Sequence, residues 1–199
     1  MKRLGAAGRE RGSIAPLAIV SIFVLMAIMA AAVDVGIAYC AKSHQEQALD
    51  AARASCMDAV TSQQAKYDDD PGEFLADAIA STVRSQGVGG DLTVWFYEAP
   101  KGSVPESERL WVIGMQVAEE VPTIFGKGFG FDSVNAASYR VVRATPYASQ
   151  KVWRPERRIC GRYVFSAGKG ASQGVFIAVG NLDGFPSEVI EQVRKGNQG

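Results

Sequence analysis

The sequence predicts an α+β protein in which one long N-terminal helix packs against a small antiparallel sheet. Three observations support this fold class. An uncharged apolar stretch runs directly into a segment rich in helix-forming residues, and together they cover residues 13 to about 67. After Gly90, short runs of β-branched and aromatic residues alternate with turns that contain Gly and Pro. The 199 residues suit one domain with an appendage.

The apolar stretch has the length of a membrane-spanning helix. Residues 13–33 carry no formal charge and are followed by Asp34. As a helix they measure roughly 30 Å, which matches the hydrocarbon thickness of a bilayer. Pro16 falls in the first helical turn, where proline is tolerated. We therefore expect a transmembrane helix over residues 13–37, surrounded by the lipid bilayer.

The residues before this helix indicate its orientation. Residues 1–12 form a tail with one acidic residue, Glu10, and four basic residues: Lys2, Arg3, Arg9 and Arg11. Basic residues beside a first span stay in the cytoplasm. The sequence therefore predicts a single-pass membrane protein with a cytoplasmic N-terminus and an extracytoplasmic domain over residues 38–199. Asp34 marks the outer end of the span, because moving its carboxylate into lipid costs a few kcal/mol.

A cleaved secretory signal is the alternative to a retained anchor. Residues 30–32 are all Ala, which signal peptidase accepts. However, the uncharged stretch exceeds the usual core of about 7 to 15 residues, and the helical pattern continues past Asp34. The sequence favours a retained anchor.

Residues 38–67 are predicted to extend the same helix outside the membrane, since they contain neither Pro nor Gly. Small side chains recur on one face at spacings of three, four or seven residues: Ala41, Ala48, Ala52, Cys56 and Ala59. Such a face permits close packing. It covers either the protein's own sheet or a helix of another subunit, and the sequence leaves both alternatives open.

The remaining elements belong to the outer domain. Asp70 and Pro71 are predicted to begin a helix over residues 71–86, which Gly87 ends. Strands are expected between residues 91 and 180, at 92–97, 110–117, 138–144, 162–166 and 174–179. The first two should form a hairpin. A short helix over residues 187–195 follows Pro186.

An apolar, Gly-rich connection over residues 121–131 joins two of these strands. It contains Ile124 and three aromatic residues, Phe125, Phe129 and Phe131. Apolar loops usually pack inward, whereas an exposed patch of this kind marks a partner-binding surface. The sequence favours inward packing.

Composition and motifs argue against catalysis. The 21 basic residues balance the 21 acidic ones, so the chain has no net positive charge that would favour binding to nucleic acid. His44 is the single histidine and has no Cys or carboxylate at the spacing of a metal site. A phosphate-binding loop is missing, and a Ser/His/Asp site would have His44, beside the bilayer, as its single possible base. We therefore expect no enzymatic activity, cofactor, metal, nucleic-acid partner or small-molecule substrate.

Three cysteines in an exported chain could form one disulfide. Cys40 and Cys56, on one helix, would be about 24 Å apart, which is too far for a bridge. A bridge from Cys56 to Cys160 would tie the long helix to the C-terminal region. The alternative is three free thiols, two of them buried, and the sequence leaves both open.

One stretch combines Arg-Gly-Ser at residues 11–13, the apolar span, an Asp-x-Gly exit at Asp34, and Gln-Ala-Leu-Asp-Ala-Ala at residues 47–52. Over about residues 9–56, this order resembles TadE/TadG-like proteins of bacterial tight-adherence (Flp) pilus assembly. Residues 121–125, Val-Pro-Thr-Ile-Phe, followed by Gly130 and Ser133, resemble a segment found late in such proteins. The resemblance implies a pilin-like fold in the bacterial cell membrane and a structural role without catalytic residues.

The resemblance also implies how the chain works. Substrates of prepilin peptidase carry Glu five residues after the cleavage-site Gly, but Leu17 stands five residues after Gly12. The chain is therefore similar to unprocessed, TadG-like members. It would be a pseudopilin-like component of a pilus assembly or secretion system, with pilins, pseudopilins or other assembly proteins packed on its small-residue face. A membrane-tethered module that binds a ligand or wall polymer is the alternative.

Overall fold

The computed structural model describes residues 14–103, 105, 108–145, 159–167, 175–178 and 182–196. The helices of these residues are α1 (Ile14–Met57), α2 (Ala59–Tyr67), α3 (Pro71–Ser85) and α4 (Ser187–Gly196). The strands are β1 (Asp91–Glu98), β2 (Trp111–Pro122), β3 (Ser133–Ala144), β4 (Ile159–Phe165) and β5 (Val175–Ala178). A short 3-10 turn, Gly126–Phe129, lies between β2 and β3.

Helix α1 has two halves with different surroundings. Its 44 residues measure about 66 Å along the axis. Within the described residues it is the one helix long and apolar enough to cross a membrane, and none of its most apolar part is buried in the protein. From Gln45 onward, by contrast, every third or fourth side chain is buried in the domain. We call residues 16–33 the bare half of α1.

The predicted continuous helix to Tyr67 is wrong, because α1 ends at Met57. Asp58 adopts an extended conformation, with ψ of 142°, and its carboxylate accepts a hydrogen bond from the Val60 amide at 3.0 Å. It therefore acts as the N-cap of the separate helix α2. An Asp side chain competes for backbone amides and favours a helix start over a helix interior. The break lets α2 turn back and contact α3.

Helix α3 begins and ends as the sequence predicts. The Asp70 carboxylate accepts hydrogen bonds from the amides of Gly72 and Glu73, at 3.1 and 3.0 Å. Pro71 occupies the first turn, where its missing amide hydrogen is not needed. Gly87 follows with φ of 82°, a left-handed conformation that glycine adopts without strain and that ends many helices.

The five strands form one antiparallel sheet in the order β3-β2-β1-β4-β5. β1 and β2 make the predicted hairpin, with Asp91 opposite Ala118 and Glu98 opposite Trp111. β2 and β3 pair along their whole length, from Trp111 with Ala144 to Pro122 with Ser133. The chain then crosses to the other side of β1, where β4 pairs antiparallel.

Each face of the sheet has its own hydrophobic core. The second half of α1 and helix α3 cover one face, where Leu49, Leu75 and Phe96 are fully buried. Helix α4 covers the opposite face with Val189 and Val193. It lies so close to β2 that a Cβ on Gly114 would stand 2.6 Å from the Val189 side chain. The α+β class with a long helix on an antiparallel sheet is therefore confirmed.

Candidate functional site

The most distinctive polar contact in the described residues joins α1 to the connection between β2 and β3. The Asp34 carboxylate accepts hydrogen bonds from three consecutive backbone amides: Ile124 at 2.8 Å, Phe125 at 3.2 Å and Gly126 at 2.7 Å. Hydrogen bonds to an ionised acceptor are among the stronger ones in proteins. Asp34 therefore fixes this connection to the helix at the point where the uncharged stretch ends.

We call residues 123–132 the base loop. Its ends are joined by the Thr123 amide, which donates to the Asp132 carbonyl at 3.1 Å, and by the Thr123 hydroxyl, which donates to the Phe131 carbonyl. Inside the loop, the Phe131 amide donates to the Gly126 carbonyl at 3.0 Å. These bonds, added to the three from Asp34, hold the loop in a defined conformation.

The large apolar side chains of the base loop point outward. Ile124 is 62% exposed, Phe129 69% and Phe131 66%, and Phe125 is also exposed. The favoured prediction of inward packing is therefore wrong for this loop, although Val121 before it and Thr123 are buried. The reason is geometric. Asp34 and the internal hydrogen bonds hold the loop beyond the ends of β2 and β3, where no hydrophobic core is present to bury its side chains.

The small-residue face of α1 packs mainly inside the protein. Ala48 and Ala52 are fully buried against α3 and the sheet, and Ala41 is half-buried. Ala59 is exposed and belongs to α2, beyond the break at Asp58. Of the two alternatives, the structure supports the intramolecular one, and these four residues do not form one face for another subunit. Alanine permits the close approach of α1 to its own sheet.

Polar contacts align α1 along β3. The buried amide of Gln45 donates to the Ala136 carbonyl at 3.3 Å. Further along, the Arg140 guanidinium donates to the Asp50 carboxylate at 3.0 Å and lies 3.5 Å from Glu46. The hydrogen bond and charge of Asp50 raise the pKa of Arg140. The Gln-Ala-Leu-Asp-Ala-Ala stretch at residues 47–52 therefore serves the fold of its own domain.

At the opposite end of the sheet, a charged pair is buried. Arg109 and Glu98 are each only 1% exposed, and their side chains form a salt bridge with a hydrogen bond of 2.6 Å. Arg109 also donates to the Lys66 carbonyl at 2.7 Å and lies over the Trp111 ring at 5.4 Å. We call Glu98 and Arg109 the far-end pair. Desolvation and the positive charge of Arg109 lower the pKa of Lys66.

The far-end pair was not predicted, although Glu98 and Arg109 stand at the ends of the two apolar runs that form the hairpin. A charge at the end of a strand normally faces water, so the pattern alone gave no reason to bury it. The C-terminal carbonyl of α2 decides the position of Arg109, and that helix lies about 40 residues earlier in the chain.

None of the three cysteines is in a disulfide, so of the two alternatives that the sequence left open, the possible Cys56–Cys160 bridge does not form. Cys56 belongs to the core beneath α1 and α3, whereas Cys160 belongs to the core on the opposite face. The sheet separates the two thiols, so no side-chain rotation could join them. Burial raises the pKa of Cys56 to about 12, which keeps this thiol protonated and unreactive at neutral pH. Cys40 is exposed.

The other predicted positions add no reactive site. His44 is exposed on α1, and the described residues contain no group of three metal-ligating side chains. Lys2, Arg3, Arg9 and Arg11 lie outside the described residues. A wide, open depression lined by Gln63, Gln64, Tyr67 and Asp68 lies at the end of α2. It brings together no acid, base and nucleophile.

No family model, curated protein or solved structure matches the chain.

Proposed function

We propose that this chain is a single-pass protein of the bacterial cell membrane that acts as a pseudopilin-like, TadE/TadG-like component of a Flp pilus assembly or secretion system. The observation that supports this most is the division of α1: its first half is apolar and bare, and its second half belongs to the core of the outer domain. The assignment to a pilus system rests on the resemblance of residues 9–56 to TadE/TadG-like proteins.

The bare half of α1 needs an apolar environment. Leu17, Phe23 and Met29 are each more than 65% exposed, and similar side chains surround the helix on all sides. Leaving this surface in water costs about 25 cal/mol per Å². A helix that satisfies its own backbone hydrogen bonds and is apolar all round suits the interior of a bilayer. The core helix of a soluble protein would be covered by its own domain, and this one is not.

We infer that partner helices pack on the membrane half of α1 and not on its outer half. Ala48 and Ala52 are occupied by the protein's own core, so sister helices would meet the bare half and the residues just above it. Gly36 lies there, and a Cβ on it would meet nothing within 4 Å. Small residues at this level let two helices approach closely within or beside a bilayer.

Photo-crosslinking in the native cell tests the proposal. We would place p-benzoylphenylalanine at Met29, on the bare half, and compare it with the same group at exposed Lys101 in the β1–β2 connection. The chain should remain in membranes after alkaline extraction, and position 29 should give adducts that mass spectrometry identifies as pilin-like or other pilus-assembly proteins. Position 101 should not give this set.

Two results would overturn the proposal. Release of the chain as a soluble species that begins near Val33 would remove the anchor. Retention in the membrane, with adducts at position 29 only to unrelated proteins or to none, would separate the anchor from pilus assembly. A membrane-tethered binding module, the alternative that the sequence leaves, would then be the better proposal.

A further inference from the structure

The base loop presents a group of exposed apolar side chains for which the fold offers no cover. Ile124, Phe125, Phe129 and Phe131 are all exposed, and three of them are more than 60% exposed. They contribute nothing to the core of the domain. Exposed apolar patches of this kind mark contacts with another molecule or with a membrane.

The position of the loop favours the membrane as the partner of these exposed side chains. The three amide bonds to Asp34 hold the loop beside the residue at which the uncharged stretch of α1 ends. Residues 16–33 span about 27 Å as a helix, so with the span in a bilayer Asp34 lies at the boundary between hydrocarbon and headgroups. The loop is therefore held at the same depth.

The direction of the chain places the loop on the membrane side of the domain. Along α1, Asp34 contacts Ile124 in the base loop before β3, and then Gln45 and Asp50 contact Ala136 and Arg140 of β3, so the partners follow the same order as the helix. β3 thus runs away from the membrane together with α1, and β2 runs toward it. The 12 residues of β2 extend about 40 Å, which separates the base loop from the far-end pair.

The backbone of the loop is suited to this environment. In lipid, unsatisfied amides are costly. The amides of Ile124, Phe125 and Gly126 donate to Asp34, and those of Gly128, Gly130 and Phe131 donate to carbonyls within the loop. The last three bonds measure 3.1, 3.3 and 3.0 Å. The loop therefore exposes apolar side chains while most of its backbone donors are occupied.

We propose that the base loop is a second membrane contact, in which Ile124, Phe125, Phe129 and Phe131 enter the headgroup region of the leaflet from which α1 emerges. Aromatic side chains are favourable at this depth. Lys127 is exposed within the loop and can reach lipid phosphates, and Tyr39 is exposed on α1 just above Asp34. Two attachment points, the span and the loop, set the tilt of the domain relative to the membrane. This inference rests on the proposed membrane crossing.

Depth-dependent fluorescence quenching tests it with the full chain. The chain would carry Cys40→Ser and be reconstituted in nanodiscs of phosphatidylethanolamine and phosphatidylglycerol. An environment-sensitive label would be attached to one new cysteine at a time: Phe129→Cys in the loop, Lys101→Cys at the far end as the matched exposed control, or Val24→Cys in the span. Lipids with a nitroxide in the headgroup region or deep in the acyl chain, and aqueous iodide, serve as quenchers.

The label at position 129 should be quenched several-fold more strongly by the headgroup nitroxide than the label at position 101, and less by iodide. Phe131→Cys should repeat the result, because its side chain is equally exposed. Quenching of position 129 by iodide alone would place the loop in water and overturn the inference. Protection from both quenchers would indicate cover by a second protein chain and would also overturn it.

The label at position 24 separates this inference from the proposed function. If the deep nitroxide quenches position 24 while position 129 behaves like position 101, the chain crosses the membrane and only the loop contact is wrong. If position 24 also remains unquenched, the membrane crossing fails and both proposals fall.

Discussion

The two ends of the sheet distribute polar and apolar side chains in opposite ways. At the far end, the charged side chains of Glu98 and Arg109 are fully buried beside Trp111. At the other end, the base, which carries the base loop, Phe129 and Phe131 are exposed although the loop is held by several hydrogen bonds. Both arrangements reverse the usual rule that charged groups face water and large apolar groups avoid it.

The difference indicates separate roles for the two ends. A buried ion pair repays its desolvation only when its geometry and hydrogen bonds are good, and Arg109 meets this condition by binding both Glu98 and the end of α2. The far-end pair therefore serves the fold of the domain. Exposed phenylalanines contribute little to folding, and an exposed apolar patch is typical of a contact with another molecule or with a membrane. We therefore expect the end that carries the base loop to make the contacts of the domain.

The largest effect is expected at the far end. Glu98→Ala leaves the Arg109 guanidinium buried without its counter-charge, which typically costs about 3 to 5 kcal/mol. The free energy of unfolding, measured by circular dichroism in denaturant with the protein in detergent, should fall by this amount. Arg140→Ala is the control, because it breaks a half-exposed network with Asp50 and Glu46 that contributes at most about 1 kcal/mol. Equal losses for the two variants would contradict a structural role for the far-end pair.

A smaller effect is expected between the two ends, where α1 lies on the sheet. Ala48→Leu inserts a larger side chain into a fully buried site and should destabilise the domain by about 1 to 3 kcal/mol. Ala54→Leu is the matched control on the exposed face of α1 and should change the stability by less than about 0.5 kcal/mol. The same denaturant measurement distinguishes them. A stable Ala48→Leu variant would mean that α1 is not packed on its own sheet as described.

The smallest effect on stability is expected at the base. Asp34→Ala removes the acceptor of three amides and should weaken the local structure by about 1 to 2 kcal/mol. Hydrogen exchange at residues 124–126 should accelerate by roughly tenfold, whereas exchange in β1 should not change. Asp132→Ala, in the same loop, is the control, because its exposed side chain lies outside this contact. Unchanged exchange in the Asp34 variant would show that the carboxylate does not hold the loop.

Local patterns in the sequence predicted most of the secondary structure. α3 and α4 begin where Asp70 with Pro71, and Pro186, indicate a helix start. Each of the five apolar or β-branched runs is a strand, although β2 and β3 extend about five residues further than predicted toward the base. The end of α1 was missed because a single Asp within a helix-forming segment is compatible with either a helix interior or a cap.

By itself, the sequence determined the apolar span, the α+β class and the hairpin of β1 and β2, because each depends on side chains that are neighbours along the chain. Tertiary structure alone decided that Ala48 faces inward, that the base loop faces outward and that the sheet separates Cys56 from Cys160. It also decided that Asp34 binds amides 90 residues away. Such partners are set by the packing of α1 along β3, and no local periodicity or spacing specifies that packing.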